Sequence, residues 1–199
     1  MQDRLNALDA IYQAFEQETA GFRSQAACAQ GCAYCCTDAG RIDATTLEGL
    51  RIRARIAQLP RPRQVSLKKA LKRDMHKRES GAPSPCPFLL KTNACLIYPI
   101  RPFACRRIYS LHRCSPEQPP VLSRQVMRIA ENTIAHLQGL DATGYSGHLS
   151  FILHMLATPR FLAVYTSGDF KPEEIMAFGK SHRLVVNRMA TRPAVSPSA

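Results

Sequence analysis

Four cysteines lie within nine residues of the chain, in the order Cys28-Ala-Gln-Gly-Cys32-Ala-Tyr-Cys35-Cys36. A single cysteine is most often a small buried apolar residue, but four this close together indicate another purpose. Close spacing on a turn lets successive thiolates reach one ion at about 2.3 Å, and Gly31 gives the backbone the freedom that such a turn needs. The cluster therefore predicts a metal or iron–sulfur site.

Four more cysteines are spread along the chain, at Cys86, Cys95, Cys105 and Cys114. Eight thiols suggest two four-thiolate sites. Adjacent side chains tend to point apart, so Cys35 and Cys36 either bind different metal ions or leave one spare thiol. Cys114 stands outside any dense motif and is either a ligand or a free thiol. Four thiolates suit zinc and iron–sulfur clusters alike, so the sequence leaves the metal open.

The composition of residues 1–9 indicates the compartment of the protein, and the compartment determines whether its thiols are reduced. Residues 1–9 are polar and acidic, where a signal peptide is basic and then continuously apolar. We therefore expect a cytoplasmic protein, whose reduced thiols bind metal instead of pairing as disulfides. No stretch approaches the ~18 uncharged residues of a membrane span, so we expect a soluble chain with no membrane partner.

Three further cysteine motifs follow the first cluster. They read Cys86-Pro87-Phe88-Leu89, Cys95-Leu96-Ile97-Tyr98 and Arg101-Pro102-Phe103-Ala104-Cys105-Arg106. Together with the first cluster, over roughly residues 28–107, they resemble the YkgJ-type cysteine-cluster family, which is described as zinc- or iron-chelating. The resemblance implies a metal-binding domain with the ligands Cys28, Cys32, Cys35, Cys36, Cys86, Cys95 and Cys105. It implies no reaction, and Cys114 and the chain after residue 120 lie outside it.

Two arginines flank a predicted ligand. Arg101 and Arg106 lie on either side of Cys105, and guanidinium groups can stabilise the excess negative charge of a thiolate cluster. The alternative is an exposed pair without a role at the site. Phe88 and Tyr98, within the motifs, are expected in the core.

Few other side chains are candidates for chemistry. Glu48 is either a hydrogen-bond acceptor beside the site or a helix cap. His112 lies two residues before Cys114 and is a candidate replacement ligand, because imidazole and thiolate share some zinc sites. Apart from the cysteines, no residue stands out as a general base or nucleophile, and the sequence leaves open whether the protein is an enzyme.

Apolar residues at three- and four-residue spacing predict helices along most of the chain. Thr45 and Glu48 form a predicted capping box. Pro60 and Pro62 end that helix, and Ser66 begins the next one. The predicted helices cover residues 3–24, 45–58, 66–79, 121–139, 146–157 (closed by Pro159) and 172–188 (opened by Pro172), with 161–165 too short to assign.

The expected fold class is mainly α, in the form of a small all-helical single domain over residues 1–190. Its loop-rich, cysteine-ligated segment spans residues 28–114, and its C-terminal helices span 121–188. Residues 191–199 are rich in Pro, Ser and Ala and form an expected flexible tail. Nothing in the sequence shows the strand–helix alternation of a parallel sheet.

The positive charge of the chain is unevenly distributed. The formal net charge is +12, and residues 51–78 hold eleven of the 27 basic residues against one acid, Asp74. Such a segment is either a solvated helix face or a surface for an acidic protein or nucleic acid. It contains neither a recognised nucleic-acid motif nor aromatic residues for stacking on bases.

Three functions fit these features. The first is a zinc or iron–sulfur protein that stores or delivers metal, or passes electrons. The second is an S-adenosylmethionine-dependent enzyme, because C-x3-C-x2-C with Tyr34 before the third cysteine resembles the radical S-adenosylmethionine motif, and because flagellin lysine methylases carry a similar domain. Against it, that superfamily needs a long β/α barrel after the motif. The third is a zinc-stapled interaction module that uses segment 51–78.

Overall fold

The computed structural model describes residues 1–29, 31–37, 41–171 and 176–190. Helices dominate, so the predicted mainly-α class is confirmed. The described α-helices are α1 (Gln2–Glu18), α2 (Ala20–Arg23), α3 (Tyr34–Thr37), α4 (Thr46–Ala57), α5 (Arg61–Glu79), α6 (Phe103–Arg106), α7 (Arg124–Leu140), α8 (Leu149–Ala157), α9 (Pro159–Ser167), α10 (Met176–Ser181) and α11 (Asn187–Ala190). A short 3₁₀ helix, Tyr98–Ile100, precedes α6.

The helices enclose a small antiparallel sheet that the all-helical prediction missed. Its strands, in the order β1-β2-β3, are Asp43–Thr45, Tyr145–His148 and Val185–Val186. Thr45 pairs with Ser146, and Ser146 also pairs with Val185. Strands of two to four residues are too short to show a period of two in the sequence, which explains the omission.

The first predicted helix is broken, and the second has its predicted cap. Thr19 interrupts the helix expected over 3–24, and its hydroxyl donates to the carbonyl oxygen of Phe15 at 2.7 Å. The Thr45–Glu48 capping box is confirmed. Thr45 Oγ1 accepts the Glu48 amide at 3.2 Å, and Glu48 Oε2 accepts the Thr45 amide at 2.7 Å.

Prolines begin two helices in this chain. Helix α5 starts five residues before the predicted Ser66, with Pro62 in its first turn. Pro159 likewise opens α9, which includes the unassigned segment 161–165. A proline is tolerated in the first turn because the amide that it lacks has no partner there. The preceding helices α4 and α8 do end before these prolines, as predicted, but the sequence did not show that Pro62 and Pro159 also lie at the start of the next helices.

The C-terminal helices differ from their predicted bounds. The helix predicted over 121–139 begins at Arg124, and the one predicted over 146–157 begins at Leu149, after β2. The single helix predicted over 172–188 is wrong: α10 ends at Ser181, Arg183 has a left-handed φ of 54°, and β3 follows. Residues 172–175 and 191–199 lie outside the described residues.

Apolar side chains form three clusters, and the cysteine motifs pack onto two of them. Phe88 and Ile97 belong to a cluster with Ile52 and Leu153, and Phe103 belongs to another, between α1 and α7. These three side chains are 1%, 2% and 2% exposed, and each lies two residues from a cysteine. Phe88 is thus a core residue as predicted. Tyr98, also expected in the core, is 55% exposed and stacks under the Arg101 guanidinium at 4.0 Å.

Within the described residues, no single helix is long and apolar enough to cross a membrane. Helices α8 and α9 reach that length and composition only together, and the chain bends by 93° between them.

Candidate metal centre

All eight cysteines are free thiols, and they lie on short, irregular segments. Cys35 and Cys36 are on the one-turn helix α3, and Cys105 is on the one-turn helix α6. The other five are in loops or turns: Cys28, Cys32, Cys86, Cys95 and Cys114. The backbone around them decides which thiols come together.

Cys86 and Cys95 begin two turns of the same design. The carbonyl oxygens of Cys86 and Cys95 accept the amides of Leu89 and Tyr98, three residues on, at 3.0 and 3.3 Å. The amides two residues on, of Phe88 and Ile97, donate to the two sulfur atoms. An amide that donates to sulfur stabilises the thiolate over the thiol.

A short antiparallel pairing holds these two turns side by side. Leu89 and Cys95 form a bridge, and the Leu96 amide donates to the Phe88 carbonyl oxygen at 2.9 Å. The residues that give the two amide–sulfur bonds, Phe88 and Ile97, also bury their side chains in one apolar cluster. Packing of the core therefore sets the positions of both sulfur atoms.

Cys36 and Cys105 complete what we call the inner group: Cys36, Cys86, Cys95 and Cys105. The Cys86 amide donates to the Cys36 carbonyl oxygen at 2.6 Å. The Cys86 thiol also donates to Cys36, which lowers the pKa of Cys36 to about 7 and raises that of Cys86. Burial raises the pKa of Cys105, and the nearby negative charges of Cys36 and Cys95 raise it further.

The other four thiols form the outer group: Cys28, Cys32, Cys35 and Cys114. Burial raises the pKa of Cys28, and charge on Cys32 and Cys114 raises it further, so these three thiols are neighbours. Burial, followed by charge on Cys36, Cys28 and Cys32, raises the pKa of Cys35 to about 11. Cys35 thus lies between the two groups, next to Cys28 and Cys32.

Ser110 brings Cys114 to this group, although Cys114 is far from Cys28 in the sequence. Its amide donates to Cys28 Sγ at 3.3 Å, and its carbonyl oxygen accepts the Ala27 amide at 2.8 Å. Its hydroxyl accepts the His112 amide at 3.3 Å, which fixes the turn that leads to Cys114. The His112 ring faces the carbonyl oxygens of Gln118 and Pro119, at 3.4 and 3.1 Å.

The thiols of each group are near one another without being closed around an ion. Among the described residues, no three His, Cys, Asp or Glu side chains already stand close enough to hold a metal. Binding one ion at four thiolates requires the cysteines of a group to lose their protons.

The two predicted arginines stand in different positions. Burial raises the pKa values of Cys95 and Cys105, and the positive charge of Arg101 opposes the rise, so Arg101 lies within electrostatic reach of the inner group. Arg106 donates to Glu16 Oε1 at 2.6 Å and to the carbonyl oxygens of Pro99 and Arg101 at 2.7 and 3.0 Å. It thereby holds the loop that precedes Cys105.

Glu48 supports the same loop, and it combines the two roles between which the sequence did not decide, helix cap and hydrogen-bond acceptor near a cysteine motif. Besides capping α4, its Oε1 accepts the Phe103 amide at 2.7 Å and the Tyr12 hydroxyl at 2.5 Å. Phe103 is the first residue of α6, which carries Cys105. One buried carboxylate therefore ties helices α1, α4 and α6 together. The capping box was the only signal of it in the sequence.

A buried polar cluster also borders the cysteines, and sequence analysis missed it. Arg78 Nε donates to both carboxylate oxygens of Asp74, at 3.1 and 3.2 Å. The Ser150 hydroxyl donates to the same carboxylate. His148 accepts the Ser150 amide at 3.3 Å. A cavity of about 10 Å³ between this cluster and Cys36 has room for one water molecule.

The residues present fit a metal. Thiolates are the ligands that zinc and iron–sulfur clusters prefer. Backbone amides already donate to the sulfur atoms of Cys28, Cys86 and Cys95. Such hydrogen bonds to sulfur orient the ligands and offset the negative charge of a four-thiolate site.

Comparison with known proteins agrees with this chemistry. The model of one family, CxxCxxCC, described as "Putative zinc- or iron-chelating domain", matches residues 27–132, which is just over half of the chain. No curated protein and no solved structure matches the chain. The match includes all eight cysteines and confirms the expectation of a cysteine-cluster protein that binds zinc or iron. The chain belongs to the CxxCxxCC family of zinc- or iron-chelating domains.

Proposed function

We propose that this protein holds two metal ions or clusters, one at the inner group and one at the outer group, and that it stores metal and delivers it. The observation that carries the proposal is the division of the eight thiols. Cys36 interacts with Cys86 and Cys105, whereas Cys28 interacts with Cys32 and Cys114. Cys35 interacts with Cys36 and also with Cys28 and Cys32. We assign it to the outer group, which gives each group four thiols.

Four thiolates around one ion match the demands of both zinc and iron–sulfur chemistry. A divalent zinc ion with four thiolates carries a net charge of about −2, and the surroundings of the inner group offset it. The amides of Phe88 and Ile97 donate to sulfur, and the charge of Arg101 favours the thiolates of Cys95 and Cys105. Arg101 is thus proposed to support the inner site directly, and Arg106 through the loop.

Metal analysis of matched variants tests the division. The chain is purified without oxygen, and zinc, iron and acid-labile sulfide are measured for the unaltered protein, Cys95→Ser, Cys114→Ser and Thr92→Ala. Thr92 is exposed and lies near Cys95 in the sequence, so its variant is the control. We expect about two metal sites in the unaltered protein and the control, and about one in Cys114→Ser.

Cys95→Ser should lose the inner metal and unfold more easily, because binding energy is also folding energy in such sites. Two full sites in Cys114→Ser would remove Cys114 from the ligands. A single site in the unaltered protein, lost in either variant, would contradict the division into two groups.

Electron transfer is a second candidate, favoured by the position of Cys35 beside Cys36 on α3. If both sites hold iron, one peptide bond joins ligands of the two centres. Iron with matching sulfide, and a visible spectrum that bleaches on reduction and returns on oxidation, would support this function. A colourless protein that holds only zinc would exclude it.

A further inference from the structure

We infer that the two sites differ in how readily they give up metal: the outer group exchanges its metal with a thiol-bearing acceptor, whereas the inner group retains its metal as part of the fold. This inference rests on the proposed two-site function. It concerns the rate of exchange, which is separate from the number of metal ions bound.

The two exposed cysteines both belong to the outer group. These are Cys28 and Cys32, whereas the other two outer cysteines and all four inner ones are partly buried. Cys86 and Cys95 pack against the apolar cluster that contains Phe88 and Ile97. An incoming ligand can therefore reach the outer group directly at Cys28 and Cys32, whereas the inner group offers no exposed cysteine.

The contacts that hold each group in the fold also favour tighter retention of metal at the inner group. Three buried side chains anchor the inner group, because Phe88, Ile97 and Phe103 each lie two residues from an inner cysteine. Glu48 adds a buried hydrogen bond to the Phe103 amide. The outer group is joined to the neighbouring segment through Ser110, by bonds to Ala27 and Cys28.

These anchors set the cost of releasing metal. Loss of the inner metal requires displacement of side chains from the core, which costs as much as local unfolding of that region. Loss of the outer metal can begin at the exposed thiols of Cys28 and Cys32, without displacement of a core side chain.

Exchange at the outer site is a ligand substitution without oxidation or reduction. A thiolate of the acceptor forms a bond to the metal as the bond from Cys32 breaks. The proton that the acceptor thiol gives up passes to the released Cys32 thiolate. Repetition of this step at the remaining outer cysteines transfers the ion. The acceptor is therefore a partner or small molecule that bears several thiols.

Chelation kinetics test this inference on the intact chain. The protein is loaded with Co²⁺, whose thiolate complexes are coloured, and EDTA is added in excess. We expect two phases of equal amplitude, with the fast phase at least about tenfold faster than the slow one. Cys32→Ser should remove the fast phase and leave the slow phase unchanged.

A second readout uses no chelator. A short pulse of iodoacetamide on the loaded protein, followed by mass spectrometry, should label Cys28 and Cys32 before Cys86, Cys95 and Cys105. Release of both ions in one phase, or equal labelling of the two groups, would overturn the inference even if two ions are bound. Fewer than two bound ions at the start would instead show that the proposed function itself has failed.

Discussion

Glu48 and Phe103 are 55 residues apart in the sequence, yet the carboxylate oxygen of Glu48 accepts the amide of Phe103 at 2.7 Å. Glu48 is only 3% exposed, and its other oxygen accepts the Thr45 amide. The bond fixes the first residue of α6, two residues before Cys105. The sequence left Glu48 as either a helix cap or a hydrogen-bond acceptor beside the site, and the structure shows it in both roles.

Replacement of Glu48 with Gln should lower the free energy of unfolding by about 2 kcal/mol. The amide nitrogen of Gln cannot accept a hydrogen bond, so either Thr45 or Phe103 is left with an unpaired buried amide. Metal affinity should fall as well, because α6 then holds Cys105 less firmly. Urea unfolding and a Co²⁺ titration measure the two effects.

Glu16→Gln is the matched control for this change. Glu16 also bonds to the α6 region, through Arg106, but its side chain is 33% exposed. Glu16→Gln should lower the free energy of unfolding by less than about 1 kcal/mol. If the Glu48 variant unfolds like the unaltered protein, the buried bond to Phe103 does not support the fold.

Gly49 lets helices α4 and α8 approach closely. A Cβ at this position would lie 2.5 Å from Ile152 Cγ2 and 2.9 Å from Leu156 Cδ1, and both of those side chains are fully buried. Gly49→Ala should therefore destabilise the fold by about 1–2 kcal/mol, after the gain in helix propensity is counted. Thermal or urea unfolding measures the change.

Gly139, in helix α7, is the control because no atom lies within 4 Å of its added Cβ. Gly139→Ala should stabilise the fold by about 0.5 kcal/mol, through helix propensity alone. If both variants were more stable than the unaltered protein, the contact between α4 and α8 would not limit the size of the side chain at residue 49.

His148 should make the stability of the metal-free protein depend on pH. Burial, aided by the positive charge of Arg78, lowers the pKa of His148 to about 4, although Asp74 and Asp43 oppose the shift. The unfolded chain binds this proton near pH 6.5, and the folded chain does not until about pH 4. Protonation of His148 therefore leaves the free energy of unfolding unchanged above pH 6.5. As the pH falls from 6.5 towards 4, it lowers the free energy of unfolding by at most about 3 kcal/mol.

Urea unfolding between pH 7 and pH 4, in the presence of a chelator, checks this expectation. The variant His148→Gln cannot take up the proton, so its stability should fall less steeply over that range. Equal slopes for the variant and the unaltered protein would show that His148 is not held neutral by the fold.

The sequence predicted the helical class and the cysteine chemistry because both depend on local signals. The Thr45–Glu48 cap and the apolar spacing of α1 and α7 are properties of neighbouring residues. The sheet was missed because its strands are too short to show a pattern. Pro62 and Pro159 were predicted as helix ends, and their second role at the start of α5 and α9 was missed because a proline also fits the first turn of a helix.

Long-range contacts account for the rest of the site. The sequence showed that Cys35 and Cys36 are adjacent, but not which thiols each would meet. That depends on the Cys86 amide, which bonds to Cys36, and on Ser110, which bonds to Cys28. The position of Cys114 beside the first cluster also follows from Ser110, which has no sequence signature. Burial of Asp74 beside His148 likewise needed the packed helices α5 and α8.

X-ray absorption at the metal edge, combined with metal content per chain, tests the division of the eight thiols into two metal sites. We expect two metal sites per chain, each with four sulfur neighbours at about 2.3 Å, and the loss of one site in Cys114→Ser. One site per chain, or a first shell made mainly of nitrogen and oxygen, would contradict the division of the eight thiols into an inner and an outer group.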